Sequence, residues 1–430
     1  MNVATSATES GGTKADRTDR SPLIVTVLSA MVVAAGAAVA FLVGRDGSPG
    51  WQVVRVAVIL TVTVAAAYLI RRGSPMVRGV TAFSLGLPSI VAGAGIAIPH
   101  LGKSGWSLVV VAGVVALVTG TTLAGYGAVR TVRSTPGWWR LATTVVLLVV
   151  TYAGLFAGIQ AVASTNVPPT HLQSTTPADR GLQYEDAALE TADGLTLSGW
   201  YIPASNRAAV VLLHGAGSTR SDVLDHAVAL ARHGYGVLLF DARGHGRSGG
   251  RAMDFGWYGD QDVAAAVSFL QRRADVDPGR IAAVGMSMGG EEAIGAAASQ
   301  PAIRAVVAEG ATNRVSADWD FLSQVYGPRG WVQQQINGLT FAVTDVLTDA
   351  SPPIALRAAA AVAAPRPVLL IAGGGIADEA NAANYIQRGN ANVQVWHVPG
   401  TGHTRALFTQ PDEWQRRVTA FLDGALPAGR

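Results

Sequence analysis

The chain contains no cysteine. Disulfides, a thiolate nucleophile and thiolate metal sites are therefore excluded. Charge is scarce as well. Asp, Glu, Lys and Arg make up only 14% of the 430 residues, against about 25% in an ordinary soluble domain. The shortage is uneven: charged residues are sparse from Leu23 to Ser164 and return to ordinary density from Asp179 onward. The chain thus divides into an apolar part and a globular part of about 250 residues, long enough for one substantial core. No metal-ligand spacing is present, and Gly373-Gly374-Gly375 is too short and wrongly placed to cradle phosphate. The net charge of +3 is not gathered into a basic stripe or an aromatic-interleaved patch, so nucleic acid is not an expected partner. Neither a cofactor nor a metal is expected.

In the apolar part, five stretches reach the length of about 20 residues that a bilayer crossing needs: 23–44, 51–70, 77–98, 107–129 and 141–163. Arg55 is the one charge well inside a stretch, near its end, where it can snorkel. No stretch carries paired ionisable residues of the kind that line ion or proton pathways, so the helices read as an anchor in the lipid bilayer. Lys14, Arg17 and Arg20 precede the first stretch. Arg71, Arg72 and Arg78 follow the second, and Arg130, Arg133 and Arg140 follow the fourth. The first and third loops carry only Arg45 and Lys103. The positive-inside rule then predicts a cytoplasmic tail over 1–22, a multi-pass region over 23–163 in the cell membrane, and everything after Ala163 outside the cytoplasm. Residues 164–180, with Pro168-Pro169 and several Ser and Thr, read as a linker.

From Gly181 short β-rich runs alternate with amphipathic segments. Strands are predicted at 209–213, 236–240, 281–285, 302–308, 367–371 and 393–398. Helices are predicted around 221–233, 261–273, 290–299 and from Pro411, and a hairpin over 184–201 with Ala192-Asp193-Gly194 at its turn. Such alternation implies a mainly parallel sheet with helices on both faces, and ligands in such sheets bind beyond the carboxyl ends of the strands. Gly285-Met286-Ser287-Met288-Gly289 falls at one such end, between a strand and a helix. In that setting a G-x-S-x-G serine is exposed on a strained turn and can act as a nucleophile.

Four segments in series, Leu213-His214-Gly215-Ala216-Gly217, Asp241 to Ser248, Gly285 to Gly289 and Pro399-Gly400-Thr401-Gly402-His403, resemble the α/β-hydrolase superfamily. Within it the chain is most similar to the serine aminopeptidase and monoacylglycerol-lipase-like branch, over about 184–426. The resemblance implies an α/β-hydrolase fold over 181–430, with Ser287 as nucleophile and His403 as base. It also implies an oxyanion hole from the backbone N–H groups of Ala216 and Met288. His214 and His245 lie in segments that serve structure in the family. The acid is expected in the loop after 367–371, where Asp378 is the first candidate and Glu379 the alternative. Whichever does not orient His403 is expected to serve as a first-turn charge of the following helix. Between 311 and 363 an insertion carrying Trp319, Phe321, Tyr326, Trp331, Leu339 and Phe341 occupies the place of the family's cap.

The expected function is a membrane-anchored serine hydrolase, esterase- or lipase-like with peptidase activity also open, acting on a small-molecule, lipid or acylated substrate. An acyltransferase using the same acyl-enzyme is one alternative. A non-catalytic membrane receptor or scaffold is the other.

Overall fold

The computed structural model describes residues 22–43 and 49–428. The tail with Lys14, Arg17 and Arg20 and the loop with Arg45 lie outside the described residues. Five long helices come first: α1 (Pro22–Val43), α2 (Pro49–Arg72), α3 (Pro75–Ser104), α4 (Leu108–Ser134) and α5 (Trp139–Thr165). All five are long and apolar enough to cross a membrane. α3 runs on past its apolar stretch, through Pro99, so Lys103 sits in its last turn and not in a loop.

The α3–α4 pair is the tightest in this bundle, and its sequence shows why. Gly79, Gly86 and Gly93 recur every seven residues on α3, as do Gly113, Gly120 and Gly127 on α4. A Cβ at Gly86 would lie 2.4 Å from the Ala124 backbone nitrogen, and one at Gly127 would lie 2.3 Å from that of Phe83. Such close backbone approach along a seam of small residues supplies van der Waals packing energy between the two helices. Gly86→Leu is expected to destabilise the bundle by about 1–3 kcal/mol or more, as overpacking does, and to lower the thermal midpoint in detergent. Gly125→Leu, at a glycine whose Cβ would meet nothing within 4 Å, is expected to leave it in place.

After a short 3₁₀ turn (Pro177–Arg180), the globular part runs β1 (Glu185–Glu190), β2 (Thr196–Ile202), β3 (Ala209–Leu213), α6 (Leu224–Arg232), β4 (Gly236–Phe240), α7 (Gly259–Gln271), β5 (Ile281–Met286), α8 (Met288–Ser299) and β6 (Ile303–Glu309). It continues with α9 (Leu322–Leu347), α10 (Leu356–Ala363), β7 (Val368–Gly373), α11 (Ala377–Gln387), β8 (Val393–Val398), α12 (Ala406–Thr409) and α13 (Pro411–Ala425). The eight strands form one sheet in the order β1-β2-β4-β3-β5-β6-β7-β8. The β1–β2 hairpin pairs antiparallel, with Glu185 opposite Tyr201, and β2 joins β4 antiparallel. From β3 onward every pairing is parallel.

Strand side chains alternate between two cores. Val211, Leu213, Leu238 and Phe240 pack toward α7, α8, α10 and α11, while Val210, Leu212, Val237 and Leu239 pack toward α6 and α13. A strand buried on both faces needs apolar residues at every position, which is why these runs read as continuous rather than alternating.

Two boundaries drawn from the sequence need correction. Residues 164–180 are not a free spacer. The Ser164 carbonyl accepts from the Asp254 N–H at 2.9 Å, Thr170 pairs with His245 as an isolated bridge, and Arg180 meets Asp225 at 2.9 Å. Within 311–363, α10 does not stand apart from the sheet: it buries Leu356, Ala359, Ala360 and Ala363 in the sheet's own core. α9 packs against α5.

Candidate active site

β5 delivers the chain to Ser287, whose φ of 54° and ψ of −122° lie in a region non-glycine residues rarely adopt. Holding a residue there costs about 1–3 kcal/mol. The surroundings enforce it: the Ser287 N–H donates to the Glu309 carbonyl at 2.7 Å, and α8 begins at the next residue. The flanking glycines are needed for space. A Cβ at Gly285 would lie 2.1 Å from the Gly289 carbonyl oxygen, and one at Gly289 would lie 2.6 Å from that of His214.

His403 Nε2 lies 2.9 Å from Ser287 Oγ. Its Nδ1 is hydrogen-bonded to Glu379 Oε1, and the other oxygen of that carboxylate accepts from the Gly373 N–H at 2.9 Å. The acid candidate is therefore corrected: Glu379, not Asp378, meets His403. Asp378 turns away and accepts from the Tyr326 hydroxyl at 2.8 Å. The reason is helical geometry. Both residues fall in the first turn of α11, where consecutive side chains point about 100° apart, so only one can face the sheet. Glu379 is buried, and its extra methylene carries the carboxylate back to β7 and across to His403.

The Glu379 carboxylate holds His403 above its ordinary value of 6.5, against partial burial, which acts the other way. A base must be neutral to accept the serine proton. The acid limb of kcat/KM is therefore expected above pH 6.5, and Glu379→Gln is expected to move it down; a pH–rate profile of both proteins checks this. The stability that this pairing contributes is present below the unfolded pKa and is lost as pH rises through the elevated folded one.

Ala216 lies in the loop after β3, and neighbouring Gly215 abuts Ser287, since a Cβ on it would sit 3.9 Å from Ser287 Oγ. Met288 is the first residue of α8, so its N–H has no acceptor within the helix. His214 organises this loop. Its Nε2 accepts from the Ala242 N–H at 3.0 Å and its Nδ1 bonds the Gly215 carbonyl at 2.8 Å. Burial pushes His214 down to about 4, so the ring stays neutral in that tautomer. His245, also pushed down to about 4 by burial, packs edge-on against it with centroids 5.1 Å apart. Neither histidine is hydrogen-bonded to Ser287.

Three contributors escape a sequence reading. Glu309, at the end of β6, accepts from the Ala406 N–H at 2.8 Å and from Trp414 Nε1 at 3.0 Å, which ties the segment just after His403 to the sheet. Burial raises its carboxyl above the usual range. A lone acid at the end of an apolar strand was the only signal for it. Lys103, from α3, donates to the Gly217 carbonyl at 3.1 Å. Burial pushes the Asp254 carboxyl up to about 6, against the nearby Lys103 ammonium and the Gly217 N–H, which lower it. An N-terminal helix thus touches the loop that carries Ala216. Among the described residues no group of three His, Asp or Glu side chains is placed to hold a metal ion.

Residues 204–349 match the family described as serine aminopeptidase, S33. That match and the sheet order decide the architecture. The globular domain has the α/β-hydrolase fold. The chain is 39% identical over 137 residues to an uncharacterized protein of Mycobacterium tuberculosis, covering 31% of this chain and 46% of that protein. It is 34% identical over 128 residues to thiohydrolase aneE of Aspergillus aculeatus, covering 29% and 40% respectively. The chain thus spans about half the length, or less, of these curated relatives. Among solved structures, the Pyrococcus furiosus esterase Pf2001 is 26% identical, with a TM-score of 0.48, covering 60% of this chain and 97% of that one.

Proposed function

We propose that the protein is a membrane-anchored serine hydrolase that cleaves a carboxylic ester or thioester through an acyl-enzyme on Ser287. The observation that carries this reading is the continuous hydrogen-bonded series Ser287–His403–Glu379 beyond the carboxyl ends of β5, β7 and β8. A serine hydroxyl becomes a competent nucleophile only when a positioned base takes its proton and a third group fixes the tautomer of that base. In this reading Ser287 Oγ attacks the carbonyl carbon while His403 Nε2 receives the hydroxyl proton. The resulting oxyanion is met by the N–H groups of Ala216 and Met288. As the tetrahedral adduct collapses, His403 returns the proton to the leaving alcohol or thiol. Water, deprotonated by the same imidazole, then releases the acid and restores Ser287. Preorganised backbone donors of this kind contribute about 3–4 kcal/mol to lowering the barrier.

Anchoring rests on the five apolar helices and on the loop charges. Arg71, Arg72 and Arg78 fall at the α2–α3 end of the bundle together with Arg130, Arg133 and Arg140 at the α4–α5 end, while α5 leads out of the opposite end into the hydrolase. With the basic end cytoplasmic, the catalytic domain faces outside. A phosphatase reporter fused after Leu426 is expected to be active, and a reporter active only in the cytoplasm would overturn this orientation. The hydrolase reading is tested by fluorophosphonate labelling of membranes. A folded wild-type protein that neither labels nor turns over p-nitrophenyl esters overturns it.

A further inference from the structure

Gly217 is held on both sides by residues tied to the helical bundle. Lys103, in the last turn of α3, donates from Nζ to the Gly217 carbonyl at 3.1 Å. That approach needs a glycine, since a Cβ at Gly217 would lie 2.9 Å from Nζ. The Gly217 N–H faces the Asp254 carboxylate. Asp254 donates its own N–H to the Ser164 carbonyl near the end of α5. Arg251 adds bonds to the Thr165 carbonyl and, at 3.1 Å, to Asn166 Oδ1. Asp254 Oδ1 is buried with no hydrogen-bond partner among the described residues, and Lys103 is the cation that acts on this carboxylate. A buried carboxylate needs such a counter-charge.

From Gly217 the contact continues toward Ser287 through two peptide groups. Each peptide unit is planar and trans, so its C=O and the following N–H point in opposite directions. The Gly217 carbonyl that Lys103 meets shares a plane with the Ser218 N–H. That N–H donates to the Gly215 carbonyl at 3.3 Å. The Gly215 carbonyl in turn shares a plane with the Ala216 N–H, the expected oxyanion donor. Ser218 Oγ at 3.0 Å and His214 Nδ1 at 2.8 Å secure the same carbonyl. The series therefore runs from the Lys103 ammonium through the Gly217–Ser218 peptide to the Gly215–Ala216 peptide. Hydrogen bonds linked head to tail polarise one another, each strengthened by about 10–30%. A positive charge at the head of the series makes the N–H at its end a stronger donor.

We infer that Lys103 is a positioning residue for the proposed reaction: through the Gly217 and Gly215 carbonyls it fixes and polarises the Ala216 N–H toward the oxyanion. The helical bundle is then part of the catalytic apparatus as well as its anchor. This inference rests on the serine-hydrolase reading and deepens it by adding a residue of the bundle to the reaction.

The test uses the full chain in phosphatidylcholine vesicles, with p-nitrophenyl acetate in solution. Lys103→Met removes the charge and the donor while keeping a side chain of similar length. It is expected to lower kcat about tenfold with KM unchanged, because the oxyanion forms only in the transition state. Lys103→Arg restores a charged donor and is expected to stay within about threefold of wild type. Ser104→Ala, exposed in the same helical turn, is expected to match wild type. An unchanged kcat in Lys103→Met would overturn the inference. A fall shared equally by Lys103→Arg would mark lost packing of the bundle and overturn it too. A second measurement is independent of turnover: amide hydrogen exchange is compared between wild type and Lys103→Met. The peptide spanning 213–220 is expected to exchange faster in the variant while β5 and α8 stay protected. Equal exchange there would overturn the inference even if the hydrolase reading stands. A wild type that neither labels with fluorophosphonate nor turns over the ester, with faster exchange in the variant, would overturn the hydrolase reading alone.

Discussion

Ser287→Ala is expected to abolish fluorophosphonate labelling and to lower ester turnover by about 10⁴–10⁶-fold, with His403→Ala close behind. The two effects are expected not to add, because neither group works without the other. Removing the hydroxyl leaves His403 with no proton to accept, and removing the imidazole leaves a hydroxyl whose proton has nowhere to go. Neither change should unfold the domain. Ser287 Oγ has His403 as its hydrogen-bond partner, and the turn is held through the backbone bond to Glu309, which alanine retains. Thermal midpoints of both variants within a few degrees of wild type, alongside lost labelling, would identify the loss as chemical. Labelling that persists in Ser287→Ala would place the reactive serine elsewhere and overturn the assignment.

The adjacent carboxylates give the second large effect and the sharper test of the structure. Glu379→Gln is expected to lower kcat by about 10³–10⁴-fold, the scale seen when a triad acid becomes an amide and the base is held in the wrong tautomer. The amide still offers an acceptor to the Gly373 N–H, so the fold is expected to survive. Asp378→Asn is expected to change kcat less than about threefold, since its carboxylate meets the Tyr326 hydroxyl and not the imidazole. Reversed magnitudes would show that α11 starts one residue out of phase with the geometry described here. Kinetics on a short-chain ester at a pH above the His403 transition separates this effect from any change in substrate binding near Tyr326.

Much of this architecture is legible in the chain because it depends on local patterns. The five apolar helices follow from unbroken runs longer than a bilayer is thick, and the parallel strands from short apolar runs between turn signals. The Ser287 turn has its own signature, since only glycine tolerates the contacts on either side of it. His403 follows a predicted strand and precedes the last helix, so chain order alone directs attention to it. The heptad glycines of α3 and α4 are equally visible, but what they achieve depends on the two helices lying antiparallel in contact.

By itself, then, the sequence determined the Ser287 turn, the order of elements and the division into an apolar and a globular part. Each is encoded in residues that are near neighbours along the chain. Only the tertiary structure decided which of two consecutive carboxylates meets His403, because the choice turns on the rotational phase of α11 against β7. The same holds for Glu309 behind the segment after His403, for Lys103 reaching 114 positions along the chain to Gly217, and for the packing of α9 against α5. These are juxtapositions of side chains remote in sequence, fixed when the sheet and the helical bundle pack, and no local spacing carries them.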